Sequence, residues 1–196
     1  MIRNQKSEVG SQKQHHPTSD LRLLASLLCL AMTGCGYTSR PGAASIFKTV
    51  YVKPFVNRID ITQLSTSDQD RFPLYRHHME VDITNEVINR FQFTGLMRPA
   101  GPDRADVRLE GELVSYHKDP LRYDPAQQVE EWRVNVVVNL RFIDQTTQML
   151  LWEESHFVGD ATYFAIGPKA ESEAAALDRA ITDLARRVVE RTVESW

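Results

Sequence analysis

Apolar and polar side chains alternate with a period of two between residues 132 and 142. The apolar phase comprises Trp132, Val134, Val136, Val138, Leu140 and Phe142. Because successive side chains of a strand point to opposite faces, this pattern predicts a β-strand with one buried face. Such a strand needs partner strands and a second layer packed over its apolar side.

Two earlier segments share this period. In residues 105–113, charged residues alternate with Ala105, Val107, Leu109 and Leu113, and Gly111 indicates a bulge or a close approach by another part of the chain. In residues 46–56, one phase consists of Ile46, Val50, Val52 and Val56, and Pro54 suits a strand end. Each segment predicts a further strand.

A hairpin is predicted to follow the alternating strand. A turn at residues 144–147 leads back along the sheet, and pairing Ile143 with Met149 would place Trp152 opposite Leu140. These two apolar residues would then share one face, which makes the first half of the hairpin self-consistent.

The second strand of this hairpin, predicted over residues 149–157, changes character after its tryptophan. Glu154 and His156 occupy positions of the apolar phase. The sequence therefore predicts either that the core ends here or that a bulge shifts the register.

Two segments have the four-residue spacing of amphipathic helices. In residues 74–93 the apolar stripe is Met79, Ile83, Val87 and Phe91, and Gly95 is a natural stop. In residues 172–194 the stripe is Leu177, Ile181, Leu184 and Val188, with an acidic first turn and a basic last turn that suit the helix dipole.

The order strand, helix, strand, strand, strand, helix predicts an α+β two-layer sandwich, with both helices on one face of a mixed four-stranded sheet. A right-handed crossover would make the strands that begin near Ile46 and Ala105 parallel, while the later strands form antiparallel hairpins. A polar loop at residues 57–73 and a loop containing Pro120 and Pro125 connect the elements.

The N-terminal segment has the form of a bacterial secretory signal. Basic residues precede a short apolar run from Leu23 to Met32, which is followed by Thr33-Gly34-Cys35. A run this short does not span a bilayer. Met-Thr-Gly-Cys resembles the lipobox of bacterial lipoproteins, in which the cysteine is acylated and becomes the new N-terminus; here that residue is Cys35.

Three regions follow from this interpretation: a removed signal peptide (1–34), a lipidated tether (35–45) and a single α+β domain (46–196). Two or three acyl chains on one cysteine would anchor the protein stably to a membrane. A soluble secreted protein and a buried N-terminal helix are the alternatives, although Gly34, Gly36 and Pro41 oppose a helix.

Removal of the signal would also remove Cys29, leaving no free thiol. A disulfide framework, a cysteine metal site and a cysteine nucleophile are then excluded for the mature protein. The whole chain has a net charge of −3, and the segment 1–34 carries four Lys/Arg against two Asp/Glu, so the mature part is at about −5. This acidic balance argues against nonspecific nucleic-acid binding.

Catalytic and cofactor motifs are missing from the sequence. It contains no phosphate-binding glycine loop, nucleophile elbow or dinucleotide fingerprint, and we expect neither a cofactor nor an enzymatic activity. The best metal candidates are His77, His78 and Asp82, but neighbouring helical residues point about 100° apart. A polar helix face is therefore the favoured interpretation, and no metal is expected.

Binding is better supported than catalysis. The polar phase of the alternating strand, Arg133, Asn135, Val137, Asn139 and Arg141, would face away from the helices and either contact a partner or remain solvated. Cationic side chains could also meet anionic phosphates, and the candidates are Lys118, Arg122, Arg133 and Arg141. Trp196 could either pack onto the sheet or face a partner.

Four segments carry a resemblance that covers essentially the whole mature chain. They are Gly34-Cys35-Gly36-Tyr37, the strand from Thr49 to Asn57, the strand from Ala105 to Glu112, and the closing helix with Glu173 to Ala176. Their order and spacing resemble the LptE family of lipopolysaccharide-assembly lipoproteins.

That resemblance implies two helices on a mixed sheet and no catalysis. It also implies an outer-membrane lipoprotein facing the periplasm that plugs the LptD β-barrel and assists its assembly in lipopolysaccharide (LPS) export, with LPS itself as a candidate ligand.

Two other interpretations remain at this point. The phrase Val52 to Asn57 is also similar to the first strand of curli-secretion lipoproteins and of lipoproteins that activate peptidoglycan synthases, which are binding modules for other partners. A hydrolase using His77, His78 and Asp82 is the third.

Overall fold

Six strands and two helices make up the part of the chain that the computed structural model describes, residues 46–59 and 76–193. In chain order they are β1 (Thr49–Val52), β2 (Val56–Asn57), α1 (Met79–Thr94), β3 (Arg98–Pro99), β4 (Val107–Tyr123), β5 (Val129–Asp144), β6 (Leu150–Phe164) and α2 (Glu173–Val193). The predictions for residues 1–45, for Trp196 and for most of the loop 57–73 lie outside the described residues.

All six strands belong to one mixed sheet with the order β3-β1-β4-β5-β6, and β2 pairs with β4 next to β1. Strands β1 and β2 run parallel to β4, with Val50 opposite Val107 and Val56 opposite Glu112. Strands β4, β5 and β6 form two antiparallel hairpins. The predicted mixed α+β architecture, the parallel first pair and the antiparallel hairpins are therefore confirmed.

The predicted count of four strands is wrong. The first predicted strand is interrupted at Lys53-Pro54-Phe55, which splits it into β1 and β2. The side chains change phase at this break, so that Phe55 is 4% exposed whereas Val56 is 41% exposed. Strand β3, with only Arg98 and Pro99, is too short to show a period, so the sequence pattern missed it.

Gly111 accommodates the ring of Phe55. A Cβ on Gly111 would overlap that ring, which comes from the segment between β1 and β2 and packs over the glycine. Of the two predicted roles for Gly111, the close approach is confirmed. The backbone N–H of Phe55 donates to Thr84 Oγ1 on α1 at 2.9 Å, which ties the strand break to the helix layer.

Strand β4 is about twice as long as predicted and contains Pro120, which was expected in a loop. Register shifts between Leu113 and Ser115 and on both sides of Arg122 interrupt its pairing with β5. Bulges of this kind let a strand carry a proline and continue, and periodicity alone does not reveal them.

The β5–β6 hairpin has a different register from the predicted one. Ile143 pairs with Leu150, and Trp152 lies opposite Phe142, where the two rings stack with their centroids 5.4 Å apart. His156 has a φ of 57°, and its N–H donates to Asn139 Oδ1 at 3.0 Å where the register shifts. The predicted bulge in this strand is therefore confirmed.

Both helices pack on the same face of the sheet and against each other. The four-residue stripes are confirmed, since Met79, Ile83, Val87, Phe91, Leu177, Ile181, Leu184 and Val188 are all buried. Gly95 ends α1 with a φ of 65°, donating its N–H to Phe91 O at 3.1 Å. Helix α1 begins at Met79 and not at residue 74, after His78 in a left-handed conformation.

Helix α2 rests directly on the backbone of β6 at Gly159. A Cβ at this position would lie 2.6 Å from Leu184 Cα and 2.7 Å from Ala180 O. Both are backbone atoms of a helix, so they cannot move aside as a flexible side chain could. The glycine therefore sets the distance between the helix and the sheet.

A ridge of side chains on α2 also covers the outer edge of β6. Arg179 donates to Thr162 O at 2.7 Å, Asp183 accepts from Asp160 N at 3.3 Å, and Arg187 donates to Val158 O at 3.2 Å. The three side chains are spaced four residues apart and so lie in one row along the helix. An edge strand covered in this way is a poor template for pairing with another chain.

Replacement of Gly159 by alanine should destabilise the protein by about 2–3 kcal/mol, because the added Cβ forces α2 away from the sheet. The matched control is Gly101→Ala, since a Cβ there has no heavy atom within 4 Å. We expect it to change the free energy of unfolding by less than about 0.5 kcal/mol. Urea unfolding measures both, and equal effects would contradict the packing described here.

Candidate partner-binding surface

The sheet face opposite α1 and α2, here called the reverse face, carries three of the four cations predicted to bind a ligand. On β5 it presents Arg133, Asn135, Val137, Asn139 and Arg141, and the residues paired with them lie on the same face. On β4 these are Asp119, His117, Ser115, Glu112 and Glu110, and on β6 they are Thr162, Asp160, Val158 and Glu153. The face is polar along most of its length.

Each arginine of this face lies beside a carboxylate. Arg122 Nη2 is 3.4 Å from Glu131, Arg133 Nε is 3.8 Å from Asp160, and Arg141 Nη1 is 3.8 Å from Glu110. The three arginine side chains remain 46–59% exposed. Ion pairs this exposed contribute at most about 1 kcal/mol, so the guanidinium groups can exchange these carboxylates for a partner's anions.

The middle of the reverse face differs from its two ends. Val137 is 5% exposed and Asn135 is 8% exposed. The side-chain amide of Asn135 donates to Asp119 Oδ2 at 3.0 Å, and Val137 lies opposite Val158. This part of the face is therefore not the plain solvated surface that was one of the two predictions.

Lys118, the fourth predicted cation, lies on the other side of the sheet. It is opposite Val134, which belongs to the helix-facing phase of β5. Its Nζ is 3.1 Å from Glu173 and 4.7 Å from the centroid of the Trp132 ring, and its side chain is only 17% exposed. The structure therefore separates Lys118 from the three arginines and places it in the contact between β4 and α2.

Glu173, at the start of α2, gathers three donors. It accepts from Lys118 Nζ and from the hydroxyl groups of Tyr116 at 3.0 Å and Tyr163 at 3.4 Å. Burial and the neighbouring Glu173 carboxylate raise the pKa of Tyr163 to about 12 and also raise the pKa of Tyr116. Both hydroxyl groups therefore stay protonated as donors, and the cluster fixes the N-terminus of α2 to β4 and β6.

Exposed apolar side chains lie on both sides of Arg122 in the sequence and just after the end of β6, at the turn of the β4–β5 hairpin. We call this region the far end. Leu121 is 42% exposed, Tyr123 is 53% exposed and Ile166 is 38% exposed. The Arg122 guanidinium carbon lies 5.7 Å from the centroid of the Phe164 ring. Arg122 and Arg133 project from the same face on adjacent strands, at diagonal positions about 7–8 Å apart. The far end therefore combines two cations with apolar surface.

Arg141 lies elsewhere on the reverse face, in a groove of about 350 Å³. The groove is lined by side chains of both charges, including Lys53, Glu110, Glu112 and Glu153. Lys53 Nζ and Arg108 Nε each lie 3.1 Å from Glu110 Oε1. The groove forms where β1 and β2 meet β4, and the sequence alone did not specify the register of that pairing.

The described residues 46–59 and 76–193 contain neither a metal centre nor a membrane-spanning helix. No three His, Cys, Asp or Glu side chains within them are close enough to hold a metal ion. Asp82 lies 3.5 Å from Arg76, and the rings of His77 and His78 are 4.1 Å apart. Neither α1 nor α2 has the length and apolar character needed to cross a bilayer.

Three solved structures that are similar to this chain are distant from it in sequence. Protein XCC0632 from Xanthomonas campestris is 14% identical with a TM-score of 0.45, covering 72% of this chain and 81% of that one. A PelC dodecamer from Paraburkholderia phytofirmans is 16% identical with a TM-score of 0.43, covering 79% and 96%. Rare lipoprotein B from Shewanella oneidensis is 13% identical with a TM-score of 0.39, covering 72% and 92%. No curated protein matches the chain.

A family model gives a more specific result than these structures. The model of LptE, described as lipopolysaccharide-assembly, matches residues 47–192. The match runs from the start of β1 to the last turn of α2 and so includes the whole two-layer domain. It favours the first of the two lipoprotein resemblances found in the sequence. The chain belongs to the LptE family of lipopolysaccharide-assembly proteins.

Proposed function

We propose that the protein is a non-catalytic outer-membrane lipoprotein, anchored on the periplasmic side through Cys35, that assists assembly of an LptD-type β-barrel, plugs its lumen and binds LPS. Family membership supplies the general role in LPS assembly. The observation that carries the barrel role is the reverse face, a long and polar sheet surface with charges of both signs.

A plug for a barrel lumen needs a polar surface and enough length to span the barrel, and the reverse face meets both requirements. The interior of an outer-membrane barrel is polar, so a plug needs a polar surface without a large excess of one charge. The reverse face meets this because its arginines are each accompanied by a carboxylate. Strands β4, β5 and β6 have 17, 16 and 15 residues. At about 3.3 Å per residue they extend about 50 Å, whereas the apolar band of a barrel is about 25 Å tall.

The far end is where we propose that LPS binds. LPS presents phosphates beside acyl chains, so its recognition needs cations beside apolar surface. Arg122 and Arg133 supply the first, and Leu121, Tyr123 and Phe164 supply the second. Arg141 lies eight residues further along β5, in the mixed-charge groove, and Lys118 is held by Glu173. We therefore assign the main phosphate contacts to Arg122 and Arg133.

Acylation is tested by labelling cells with a palmitate analogue. Cys35→Ala should abolish the label, because Cys35 occupies the lipobox position at the end of the apolar run. Cys29→Ala is the matched control, since that cysteine lies inside the signal and should not affect labelling. Continued labelling of Cys35→Ala would overturn the proposed anchor.

The barrel role is tested by depleting cells of the wild-type protein, with Cys29→Ala supplied as the only copy to check that the effect is reversed. Depletion should lower both surface LPS and the oxidised, assembled form of the barrel, and Cys29→Ala should restore both. Unchanged LPS and unchanged barrel on depletion would contradict the proposed function, whatever the labelling result.

Arg122→Glu should weaken binding of fluorescent LPS about tenfold, because it replaces a phosphate-binding cation with an anion. Arg58→Glu is a close control, since Arg58 is 62% exposed and 3.5 Å from Glu112, while Arg122 is 59% exposed and 3.4 Å from Glu131. Thermal melts establish that both variants are folded. Equal losses for the two variants would contradict a specific far-end site.

A further inference from the structure

Five large apolar side chains are exposed at the end of the sheet where β1 begins, which we call the near end. They are Ile46 at 69%, Phe93 at 83%, Leu96 at 42%, Met149 at 62% and Leu150 at 44% exposed. Single exposed apolar residues are common on protein surfaces, but a group of this kind at one end of a domain indicates a contact.

The strand register establishes that these residues share one end. Thr49 aligns with Arg98 across the parallel pair β1 and β3, so Ile46 and Leu96 both precede the aligned strand starts. Val107, at the start of β4, pairs with both Val50 and Asp144. Asp144 in turn donates its N–H to Met149 O at 2.9 Å. The starts of β1, β3 and β4 and the β5–β6 turn therefore lie side by side.

Asp106 links the loops of the near end into one structure. Its Oδ2 accepts the N–H groups of Lys48 and Thr49 at 2.8 Å each, which lowers the pKa of this carboxyl group. Its backbone oxygen accepts from Gln145 N at 2.9 Å, and Gln145 Nε2 donates to Pro102 O at 2.6 Å. The apolar side chains are thus presented on connected loops.

Cations accompany the apolar residues. Lys48, Arg98 and Arg104 are exposed at this end, together with the acidic Asp103. The Arg90 guanidinium carbon lies 5.6 Å from the centroid of the Phe93 ring. Counting Arg90, this end has four cations against the three carboxylates of Asp103, Asp106 and Asp144, so it is close to neutral, whereas the mature chain as a whole is acidic. Apolar side chains flanked by Lys and Arg are typical of surfaces that rest on anionic lipid.

The near end is also the end at which the chain enters from Cys35. Ten residues, 36–45, separate that cysteine from Ile46. Fully extended they reach at most about 35 Å. The far end lies about 45 Å along the strand from the near end, because Leu121 is 14 residues beyond the start of β4. That distance is longer than the reach of residues 36–45.

We propose that the near end rests on a phospholipid surface, with Phe93, Leu96 and Met149 in contact with lipid. The proposal builds on the anchoring of Cys35, which supplies the attachment, while the near end fixes the orientation of the domain. Before the domain enters the barrel, the sheet then points away from the membrane surface, with Arg122 and the far end outermost.

A label at Leu96 compared with one at Leu121 tests this orientation. The mature chain has no thiol besides Cys35, so Leu96→Cys and Leu121→Cys each provide one labelling site, and both leucines are 42% exposed. The acylated protein, carrying an environment-sensitive fluorophore, is reconstituted in vesicles of phosphatidylethanolamine and phosphatidylglycerol with a nitroxide lipid. The label at Leu96 should be quenched at least about threefold more than the label at Leu121.

A second arm separates this proposal from the anchor. The same labelled chain, with a histidine tag in place of Cys35, is attached to vesicles that contain a nickel-chelating lipid. Stronger quenching at Leu96 in this arm supports the orientation. If the acylated protein of the first arm fails to float with vesicles, that result refutes the acylation of Cys35 but not the orientation. Equal quenching at both positions would overturn the proposal. So would shielding of Leu96 only after addition of the barrel, which would assign the near end to a protein partner.

Discussion

The contact between α2 and β6 determines which surfaces of this protein are free. Gly159 lets the backbone of α2 lie against the strand, and the row of Arg179, Asp183 and Arg187 covers the strand's outer edge. Glu173 fixes the start of the same helix through Tyr116 and Tyr163. The apolar phases of β4, β5 and β6 are thereby closed off from solvent, and binding is left to the reverse face and the two ends.

The two ends of the domain differ in a way that fits a protein standing between a membrane and a partner. The near end has more large apolar residues around exposed Lys and Arg, on loops joined by Asp106. The far end has Arg122 and Arg133 next to smaller apolar surface. Between them, the reverse face has paired charges that suit a polar environment. The proposed role needs all three, because an anchored LPS-assembly protein of this kind would have to be held, oriented and in contact with both barrel and ligand.

Long periodic segments allowed most of the fold to be predicted from the sequence. The stripe from Met79 to Phe91 and the alternation from Trp132 to Phe142 are buried as expected, because each element must present one apolar face to a single core. The failures occur where a local feature changes the phase. Pro54 and Phe55 split the first strand, and bulges let β4 continue through Pro120.

The candidate site was harder to predict than the core. The alternation of β5 predicted that Arg133 and Arg141 share one face of the sheet, and the strand register places them there. The sequence grouped Lys118 with the arginines, but the bulge between Leu113 and Ser115 moves later residues of β4 to the other face, which separates Lys118 from them. It also missed the groove around Glu110, which depends on pairing between segments more than 50 residues apart, such as Val56 and Glu112. Period and charge do not determine such pairings.

Purification of the tagged protein from detergent-solubilised outer membrane tests the central claim most directly. An LptD-type β-barrel should be recovered with it in about equal amount, since a plug and its barrel form one complex. Recovery of the acylated protein without such a barrel, from membranes in which the barrel is present, would contradict the account.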